Sequence, residues 1–437
     1  MRIKGKAAFK VETLGCKLNQ FDSAIIEGEL IKRNLAPAEA CKDASIVIVN
    51  TCTVTNRADS QSRQLIRKIR RENPSCTIIV TGCYARLAPE ALRKLPEANI
   101  VIDAADEDAA RTIAKELEKN VLEFDVIESA ASDPFEIHYT GKTRAFLKIQ
   151  DGCDLKCSYC IIPRVRGKSR SIGPDSIIRN IRKLIDRGYR EIVLTGINSG
   201  DYGKDLIPRT TLFDLLMKII PLDGLGRIRL NSLEPPMITD DLIDLIASTD
   251  KIAHHLHVPL QSGCDRILKM MYRPYRTGVY SRGVERLRQR IPDIGIGSDV
   301  IVGFPGERDE DFEETFDFVG RSQINFLHVF PFSKRPDTPA SKLPGELNGR
   351  IVKERSARLR KLGEELSFKF RKSFHHKILD AIVLDEKRED GRHRALSSNY
   401  IDIGIAADRE DINTIVPVRV TRVLPDDTLG EISSPRR

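Results

Sequence analysis

Hydrophobic residues in the first part of the chain form short, nearly continuous runs that are separated by stretches with a helical pattern. The runs are rich in Val and Ile and occupy residues 9–13, 45–50, 76–81 and 99–103. The helical patterns occupy residues 19–33, 57–71, 88–95 and 107–119. Buried strands that alternate with helices are typical of a parallel sheet covered on both faces. We therefore predict an α/β domain with a parallel sheet over residues 1–127.

The same alternation resumes after a polar stretch at 128–143, which we interpret as a linker. Six further strand candidates follow at wider spacing, at residues 145–150, 191–196, 227–233, 254–261, 296–304 and 325–333. Six βα units are too many for a small open sheet and fewer than the eight of a closed barrel. We therefore predict a partial (β/α)6 barrel within a domain that spans residues 140–370.

The hydrophobic pattern changes again near residue 378. Short β-type runs separated by turn residues fill the rest of the chain, which predicts a small β-barrel of about five strands in a domain over 373–437. The segment before it, 350–377, has a helical pattern and carries ten Lys and Arg residues against three Glu. The overall fold class is therefore α/β with a small all-β module at the end.

Length, composition and charge restrict the number of domains, the location and the partners that we expect. A length of 437 residues predicts two or three domains. The basic N-terminus leads into no apolar stretch, and no apolar run approaches the roughly 18 residues of a membrane helix. We therefore expect a cytoplasmic protein without a membrane partner, whose nine cysteines stay reduced and can bind metal. An excess of 71 Lys and Arg over 63 Asp and Glu permits a nucleic-acid partner without requiring one.

Three clustered cysteines, Cys153, Cys157 and Cys160, follow the first predicted strand of the partial barrel. We expect them at the carboxyl end of that strand, where the active sites of barrels are built. Clustered thiolates suit an iron–sulfur cluster, and three ligands for four irons leave one iron open. The alternative is a zinc site that a remote cysteine or histidine completes.

The spacing C-x3-C-x2-C after the first strand of a partial barrel resembles the radical S-adenosylmethionine superfamily. The resemblance implies that S-adenosylmethionine binds the open iron, and that one electron from the reduced cluster cleaves it to yield a 5′-deoxyadenosyl radical. The segments LTG (194–196), RLNSLEP (229–235) and DVIVGFPGE (299–307) resemble cofactor-contacting segments at the ends of later strands. The cofactor-binding residues that this resemblance implies are Thr195, Gly196, Ser232, Glu234, Val302 and Gly303.

A second set of cysteines, Cys16, Cys52 and Cys83, follows the first three predicted strands of the first domain. Because the carboxyl ends of parallel strands meet at one edge of the sheet, these cysteines are expected to lie together in space. They predict a second three-thiolate cluster with an open iron, and the alternative is three buried core cysteines. The remaining cysteines show no such pattern and are assigned no metal: Cys41, Cys76 and Cys264.

Two three-cysteine sites, one on a flavodoxin-like sheet and one on a partial barrel, resemble the methylthiotransferase family. The matching segments are 13–22, 49–59, 257–275 and 330–340, and the C-terminal segment 396–405 resembles a TRAM domain, an RNA-binding β-barrel. The resemblance implies two [4Fe-4S] clusters, with S-adenosyl-L-methionine as both methyl donor and radical source. It further implies a tRNA substrate, an electron donor and a sulfur source.

Residues 50–68 most resemble the branch of this family that acts on N6-threonylcarbamoyladenosine at tRNA position 37 and places a methylthio group on carbon 2. Val54 stands where the isopentenyladenosine branch typically has an arginine. A pocket for the threonylcarbamoyl carboxylate should offer a cation, which Arg57, Arg63 or the loop 163–170 could supply. The alternatives are isopentenyladenosine of tRNA, an aspartate of a ribosomal protein, and an iron–sulfur RNA-binding protein without catalysis.

Basic residues are concentrated in three segments that we expect around the active-site mouth. The segments 63–71 and 163–170 contribute five and four Lys or Arg residues, in addition to the helix at 350–377. Together they favour a polyanionic substrate bound through its phosphates. The histidines of HHLH (254–257) alternate along a predicted strand, which favours packing or substrate contacts over metal ligation.

Overall fold

The computed structural model describes residues 7–103, 106–120 and 143–433. Apart from Thr143, the predicted linker at 128–143 lies outside these ranges. None of the helices within them is both long and apolar enough to cross a lipid bilayer.

The N-terminal part contains five parallel strands. They are β1 (Ala8–Thr13), β2 (Ala36–Pro37), β3 (Ile46–Thr51), β4 (Thr77–Gly82) and β5 (Ile100–Val101). Their order in the sheet is β2-β1-β3-β4-β5, with every neighbouring pair parallel. The four predicted strands are present, whereas β2 was not predicted because two residues carry no hydrophobic periodicity.

Among the described residues of this part, four helices connect the strands and a fifth follows β5. They are α1 (Lys17–Lys32), α2 (Asn56–Glu72), α3 (Cys83–Leu87), α4 (Pro89–Arg93) and α5 (Asp106–Asn120). Apolar side chains on the two faces of the sheet belong to two separate buried clusters, which explains why β3 is buried along its whole length. The strand order is flavodoxin-like, and sheets of this order bind ligands at the carboxyl ends of β1 and β3.

The central part is a partial barrel of six parallel strands. They are β6 (Ala145–Lys148), β9 (Glu191–Thr195), β10 (Arg227–Leu230), β11 (His255–His257), β12 (Gly295–Val302) and β13 (Phe326–Pro331). Two three-stranded sheets, β10-β9-β6 and β11-β12-β13, are joined by parallel bridges from Ile228 to Ile252 and from Ser232 to His257. The short strands β7 (Gln150–Asp151) and β8 (Arg170–Ser171) pair with each other beside β6. The predicted (β/α)6 arrangement is confirmed.

Helices pack against the outer face of the partial barrel. They are α7 (Pro174–Asp186), α8 (Leu212–Ile219), α9 (Asp240–Ala247), α10 (Asp265–Met270), α11 (Thr277–Arg290) and α12 (Asp309–Arg321). The short helix α6 (Ile162–Val165) instead packs against α3 at the mouth of the barrel. Alternate strand residues such as Ile228 and Val300 are fully buried in the core on this side. The residues between them face inward, and the strand register places Arg227 beside Glu191 and Asp299 beside His328. The inner face of the barrel is therefore polar.

The C-terminal part is a closed five-stranded barrel, as predicted. Its strands are β14 (Ile378–Lys387), β15 (His393–Ser397), β16 (Asp402–Ile405), β17 (Ile415–Val423) and β18 (Thr428–Ile432), in the order β14-β15-β16-β18-β17. Helix α13 (Gly349–Lys372) leads into it. Arg229 donates to the carbonyls of Ser397 and Ser398, each at 3.0 Å. The loop after β15 therefore closes the amino end of the partial barrel.

Candidate functional site

Cys153, Cys157 and Cys160, here called the barrel triad, lie in the loop after β7 at the carboxyl end of the first barrel strand. Backbone contacts shape this loop, since Cys153 N donates to Gly167 O at 3.1 Å and Cys160 N donates to Cys157 O at 3.1 Å. Gly152 has a φ of +69°, and a Cβ there would lie 2.0 Å from the carbonyl oxygen of Lys168. Only glycine allows this close approach.

Arg273 contacts the barrel triad directly. Its Nη1 donates to Cys157 Sγ at 3.1 Å, and its other terminal nitrogen pairs with Glu234. The guanidinium is buried, so its charge faces the sulfur of Cys157 away from bulk water. No local sequence pattern singles out Arg273, although it lies in the family-like segment 257–275.

Cys16, Cys52 and Cys83, here called the sheet triad, follow β1, β3 and β4 at one edge of the first sheet. Cys16 Sγ and Cys83 Sγ lie 4.0 and 3.9 Å from the same oxygen, Asn19 Oδ1. A Cβ on Gly15, where φ is +100°, would lie 2.8 Å from Cys52 Sγ. The structure therefore brings these three cysteines together although 67 positions separate the first from the last.

All six thiols are free. Burial raises the pKa of Cys83 and of Cys153 to about 11, and that of Cys160 to about 12. Cysteines in such surroundings become thiolates when a metal binds and releases their protons. The donor set consists of soft sulfur ligands, which suits iron–sulfur clusters.

The sulfurs of neither triad are as close together as the ligands of a bound zinc ion. Within the described residues, only His257, Asp299 and His328 place three potential ligand atoms within 4.8 Å of one another, so neither cysteine triad is that compact. Tetrahedral zinc with bonds of about 2.3 Å needs sulfurs about 3.8 Å apart. A four-iron cluster is larger and holds its cysteines further apart than a single zinc ion does.

The two triads lie on either side of one apolar patch. Cys83 of the sheet triad is packed with Ile161, Ile162 and Val165, which follow the barrel triad, and Cys153 and Cys160 pack against the same group. Arg86, from the helix that begins at Cys83, donates to Val165 O at 2.9 Å. The two predicted sites therefore adjoin one apolar cluster between the sheet and the partial barrel.

A buried arginine, Arg166, joins the two parts beside the triads. It donates two hydrogen bonds to Asp151 at 3.0 and 2.8 Å, one to Asp22 at 3.1 Å and one to Asn19 at 2.5 Å. Lys148 bonds the same two carboxylates at 3.0 and 3.2 Å. Because buried charges are stable only when paired, this network holds α1 in a fixed place over β6.

A second buried arginine, Arg335, ties the loop after β13 to the loop after Cys52. Its guanidinium donates to Thr53 Oγ1 at 2.7 Å, to Asn56 Oδ1 at 2.6 Å and to Asp59 Oδ2 at 2.9 Å. No sequence pattern predicts this contact, whose partners are more than 270 positions apart. The only sequence signal is that Arg335 lies in the family-like segment 330–340.

The six predicted cofactor-contacting residues lie at or after the carboxyl ends of β9, β10 and β12. Asn231 Nδ2 donates to Thr195 Oγ1 at 3.2 Å and to Gly196 O at 3.4 Å. Ser232 forms a bridge with β11, Val302 is buried, and Glu234 is paired with Arg273 as described above. Gly303 has a φ of +77°, and a Cβ there would lie 2.6 Å from a methyl group of Val352 in α13. The structure therefore places this set at the same end of the barrel as the barrel triad.

The inner face of the barrel carries further titratable groups. Lys17 Nζ donates to Asn231 Oδ1 at 3.3 Å, and burial, followed by repulsion from Arg144 and Arg229, lowers the pKa of Lys17 to about 8. His257 Nε2 and His328 Nδ1 lie 3.0 and 3.2 Å from the two oxygens of Asp299.

The three histidines of the HHLH segment contact different partners and are not gathered into one set of metal ligands. The ring of His255 stacks on Tyr400 at a centroid distance of 4.1 Å. His257 instead bonds Asp299, and the backbone N–H of His254 donates to Ser398 Oγ at 2.9 Å. Packing thus accounts for His255, as the alternation along the strand predicted.

The three cysteines to which no metal was assigned have partners of their own. Cys41 Sγ lies 3.3 Å from Glu12, Cys76 Sγ donates to Asn73 O at 3.2 Å, and Cys264 Sγ lies 3.3 Å from Asp311. None of these contacts involves either triad.

Part of the predicted basic surface is internal. Arg166 lies in the network described above, Arg63 donates to Tyr84 OH at 2.6 Å, and Arg355 pairs with Glu307 and Asp309. These cations stabilise the fold through contacts within the protein, so they are not all available to bind phosphate. Exposed basic residues remain on α13, namely Lys353, Arg360, Lys361, Lys369 and Lys372.

Two family profiles match the chain. Residues 147–319 match the Radical SAM superfamily, which covers the barrel triad and most of the barrel strands. Residues 8–103 match the Uncharacterized protein family UPF0004, which covers the sheet triad.

Several relatives are similar over nearly the whole chain. Threonylcarbamoyladenosine tRNA methylthiotransferase MtaB of Bacillus subtilis (strain 168) is 34% identical over 95% of this chain and 94% of its own. The protein of the same name from Aquifex aeolicus (strain VF5) is 38% identical over 91% of this chain and 96% of its own. The tRNA-2-methylthio-N(6)-dimethylallyladenosine synthase of Clostridium botulinum (strain Loch Maree / Type A3) is 33% identical over 97% and 96%.

Solved structures show the same fold at low identity. The radical S-adenosylmethionine methyltransferase TsrM from Kitasatospora setae, with cobalamin and a [4Fe-4S] cluster bound, matches with a TM-score of 0.55 and 16% identity, over 77% of each chain. The same enzyme with tryptophan and a cofactor analogue matches with a TM-score of 0.52 and 14% identity, over 87% of this chain and 79% of its own.

Proposed function

The chain belongs to the methylthiotransferase family of radical S-adenosylmethionine enzymes, and we propose that it adds a methylthio group to carbon 2 of N6-threonylcarbamoyladenosine at position 37 of tRNA. The observation that carries the proposal is that two three-thiol sites adjoin one apolar cluster between the sheet and the partial barrel. The chain that holds them is 34% and 38% identical to two threonylcarbamoyladenosine tRNA methylthiotransferases over at least 91% of its length. A dimethylallyladenosine synthase is less similar, at 33%.

The enzyme uses S-adenosyl-L-methionine and [4Fe-4S] clusters. We propose that the barrel triad holds one cluster and the sheet triad holds the other. When bound, these groups supply a radical that can remove an unactivated hydrogen atom, together with a sulfur atom and a methyl group for the product. Such a hydrogen is beyond the reach of general acid–base catalysis, which explains the need for this chemistry.

The chain's own residues position these groups. Arg273 holds Cys157 through its hydrogen bond to the sulfur, and Glu234 fixes the guanidinium. Thr195, Gly196, Ser232, Glu234, Val302 and Gly303 are proposed to line the S-adenosylmethionine site. Arg166 and Arg335 hold the sheet triad at a constant separation from the barrel triad, because each joins the two parts through several buried hydrogen bonds.

The remaining assignments follow from this function. The substrate is tRNA, bound by the exposed basic residues of α13 and by the C-terminal barrel, which is proposed to be a TRAM domain. An electron donor and a sulfur source are needed for turnover, and the enzyme is proposed to act in the cytoplasm. The proposed domain limits are 1–127, 140–370 and 373–437.

Mass spectrometry of tRNA nucleosides from a deletion strain tests the proposal. We expect the 2-methylthio form of threonylcarbamoyladenosine to disappear and the unmethylthiolated nucleoside to accumulate. The wild-type gene should restore the product, and a Cys52→Ala variant should not. If 2-methylthio-isopentenyladenosine disappears instead, the substrate assignment is wrong. An altered mass of a ribosomal protein with intact tRNA nucleosides would point to the aspartate-modifying alternative.

A further inference from the structure

Tyr272 follows helix α10 beside the barrel triad. The residues on either side of it contact the loop that carries the cysteines. Met271 O accepts from the backbone N–H of Ser158 at 3.0 Å. Arg273 Nη1 donates to Cys157 Sγ at 3.1 Å. The backbone at Tyr272 is therefore held against the loop of the barrel triad.

The turn that ends α10 places Tyr272 in the left-handed region, with a φ of +58°. Its backbone N–H donates to Lys269 O at 3.1 Å, and the backbone N–H of Arg273 donates to Leu268 O at 3.0 Å. These two bonds form a Schellman motif, in which the residue at this position is usually glycine because a Cβ is strained there. A tyrosine at this position therefore costs conformational free energy that a glycine would not cost.

Packing of the ring does not offset this strain. Tyr272 is 58% exposed, and none of the hydrogen bonds or ring contacts among the described residues involves its side chain. Tyr400 has a similar φ of +72°, but its ring stacks on His255 at a centroid distance of 4.1 Å. Backbone strain that is not explained by neighbouring contacts is typical of functional positions. The ring of Tyr272 is therefore available to a partner outside the chain.

The surface around this ring suits single-stranded RNA. Lys269, in the last turn of α10, is exposed, and so is Pro274. Proteins bind unpaired bases by stacking them on aromatic rings, while nearby cations contact the phosphates. An enzyme that modifies a base must also take that base out of its stack, which leaves the neighbouring base with one free face.

We propose that Tyr272 stacks on an unpaired base of the anticodon loop, next to the adenosine that enters the barrel, and that Lys269 contacts a phosphate of the same loop. This proposal rests on the function proposed above and deepens it, because it names residues that hold the RNA beside the barrel triad. Every base has a face that can stack, so Tyr272 contributes affinity and position without selecting the nucleoside at position 37.

Binding of two RNAs tests the assignment. One is an anticodon stem-loop with threonylcarbamoyladenosine at position 37, and the other is a duplex with the same stem and no loop. Fluorescence anisotropy with the reconstituted enzyme at several salt concentrations gives the affinities. Tyr272→Ala should bind the stem-loop at least about fivefold more weakly than the wild type and bind the duplex equally well. Its salt dependence should not change, whereas Lys269→Met should lower the slope of log affinity against log salt by about 0.7.

Three further variants serve as controls. Tyr272→Phe should keep the affinity, because the ring remains. Met217→Ala removes another exposed apolar side chain, on α8, and should also bind as the wild type does. Tyr272→Gly should lose affinity as Tyr272→Ala does, while its urea midpoint should be no lower than that of the wild type, because glycine is unstrained at this position. Unchanged iron content and visible absorption show that the clusters are intact in each variant.

The possible failures are distinguishable. If Tyr272→Ala binds the stem-loop as tightly as the wild type, or if Tyr272→Phe binds it as weakly as Tyr272→Ala, stacking by this ring is wrong. An equal loss of affinity for the duplex would also overturn the proposal, because the duplex has no unpaired base. In these cases methylthiolation of the stem-loop by the wild type, measured by mass spectrometry, still upholds the function. If the wild type methylthiolates no RNA, the proposed function and this proposal are both wrong.

Discussion

Arg335 Nη2 donates a hydrogen bond to Thr53 Oγ1 at 2.7 Å, so that the loop after the last barrel strand holds the residue that follows Cys52. Thr53 is itself buried and donates to Asp59 at 2.6 Å, and Asp59 accepts from Arg335 as well. One closed set of hydrogen bonds therefore fixes the position of a sheet-triad cysteine relative to the barrel. Arg335 is a positioning residue, and its removal should affect the two proposed reactions of the enzyme differently.

Replacing Arg335 with Met should lower methylthiolation at least about tenfold, because a displacement of the sheet triad by a fraction of an ångström misaligns sulfur and substrate. Formation of 5′-deoxyadenosine, measured by liquid chromatography, should stay within about twofold. The loss of a buried charge partner should also lower the free energy of unfolding by about 3 kcal/mol. Arg290→Met, which breaks an exposed ion pair with Asp244, should change it by less than about 1 kcal/mol. Equal losses of both reactions in the Arg335 variant would contradict a positioning role.

Substitutions in the two triads should abolish different reactions of the enzyme. Cys157→Ala should abolish formation of 5′-deoxyadenosine, because the barrel cluster loses a ligand. Cys52→Ala should leave that reaction intact and abolish sulfur transfer to tRNA. Iron analysis should find about four fewer iron atoms in each variant than in the wild type. Methylthiolated product from the Cys52 variant would show that the sheet triad does not hold a required cluster.

Gly303 should be sensitive to a single added methyl group. Its φ is +77°, and a Cβ would lie 2.6 Å from Val352, so Gly303→Ala should lower the free energy of unfolding by about 2 kcal/mol. Adding Val352→Ala should restore about half of this loss, which urea denaturation can measure. Full loss of S-adenosylmethionine binding without a change in stability would instead mean that Gly303 acts mainly through the cofactor.

Acid should weaken the fold through Glu191. Burial raises its pKa, but Arg229 together with Arg144 and Arg227 outweighs burial and lowers that pKa to about 2. A carboxylate with a lowered pKa contributes stability above its unfolded pKa of about 4.5, and this contribution is lost as the pH falls towards 2. The full contribution is about 3 kcal/mol.

Urea unfolding of the cluster-free protein at several pH values between 7 and 2.5 tests this prediction. Glu191→Gln should be less stable than the wild type at pH 7, and the difference should shrink by most of that amount at pH 2.5. Glu313→Gln, which affects an exposed pair with Arg358, should show a small difference at every pH. A constant difference for Glu191→Gln would mean that the carboxyl group is not ionised in the folded protein.

The sequence by itself determined the order of secondary structure and the residues of the two triads. Buried strands leave continuous Val and Ile runs such as 46–51, and a cysteine directly after such a run must lie at the carboxyl edge of the sheet. The geometry of parallel strands then brings Cys16, Cys52 and Cys83 together without any knowledge of side-chain packing. The family resemblance rests on these same local features.

Only the tertiary structure decided which charged residues are internal and what they contact. Arg166 belongs to a basic segment whose composition is typical of a solvent-exposed surface, but folding buries it between Asp22 and Asp151. The contacts of Arg335 with Thr53 and of Lys17 with Asn231 join residues 282 and 214 positions apart. Local periodicity indicates which face of a helix or strand is apolar. It does not indicate which distant polar side chains will contact one another. Those contacts depend on how the sheet, the barrel and the C-terminal module pack together.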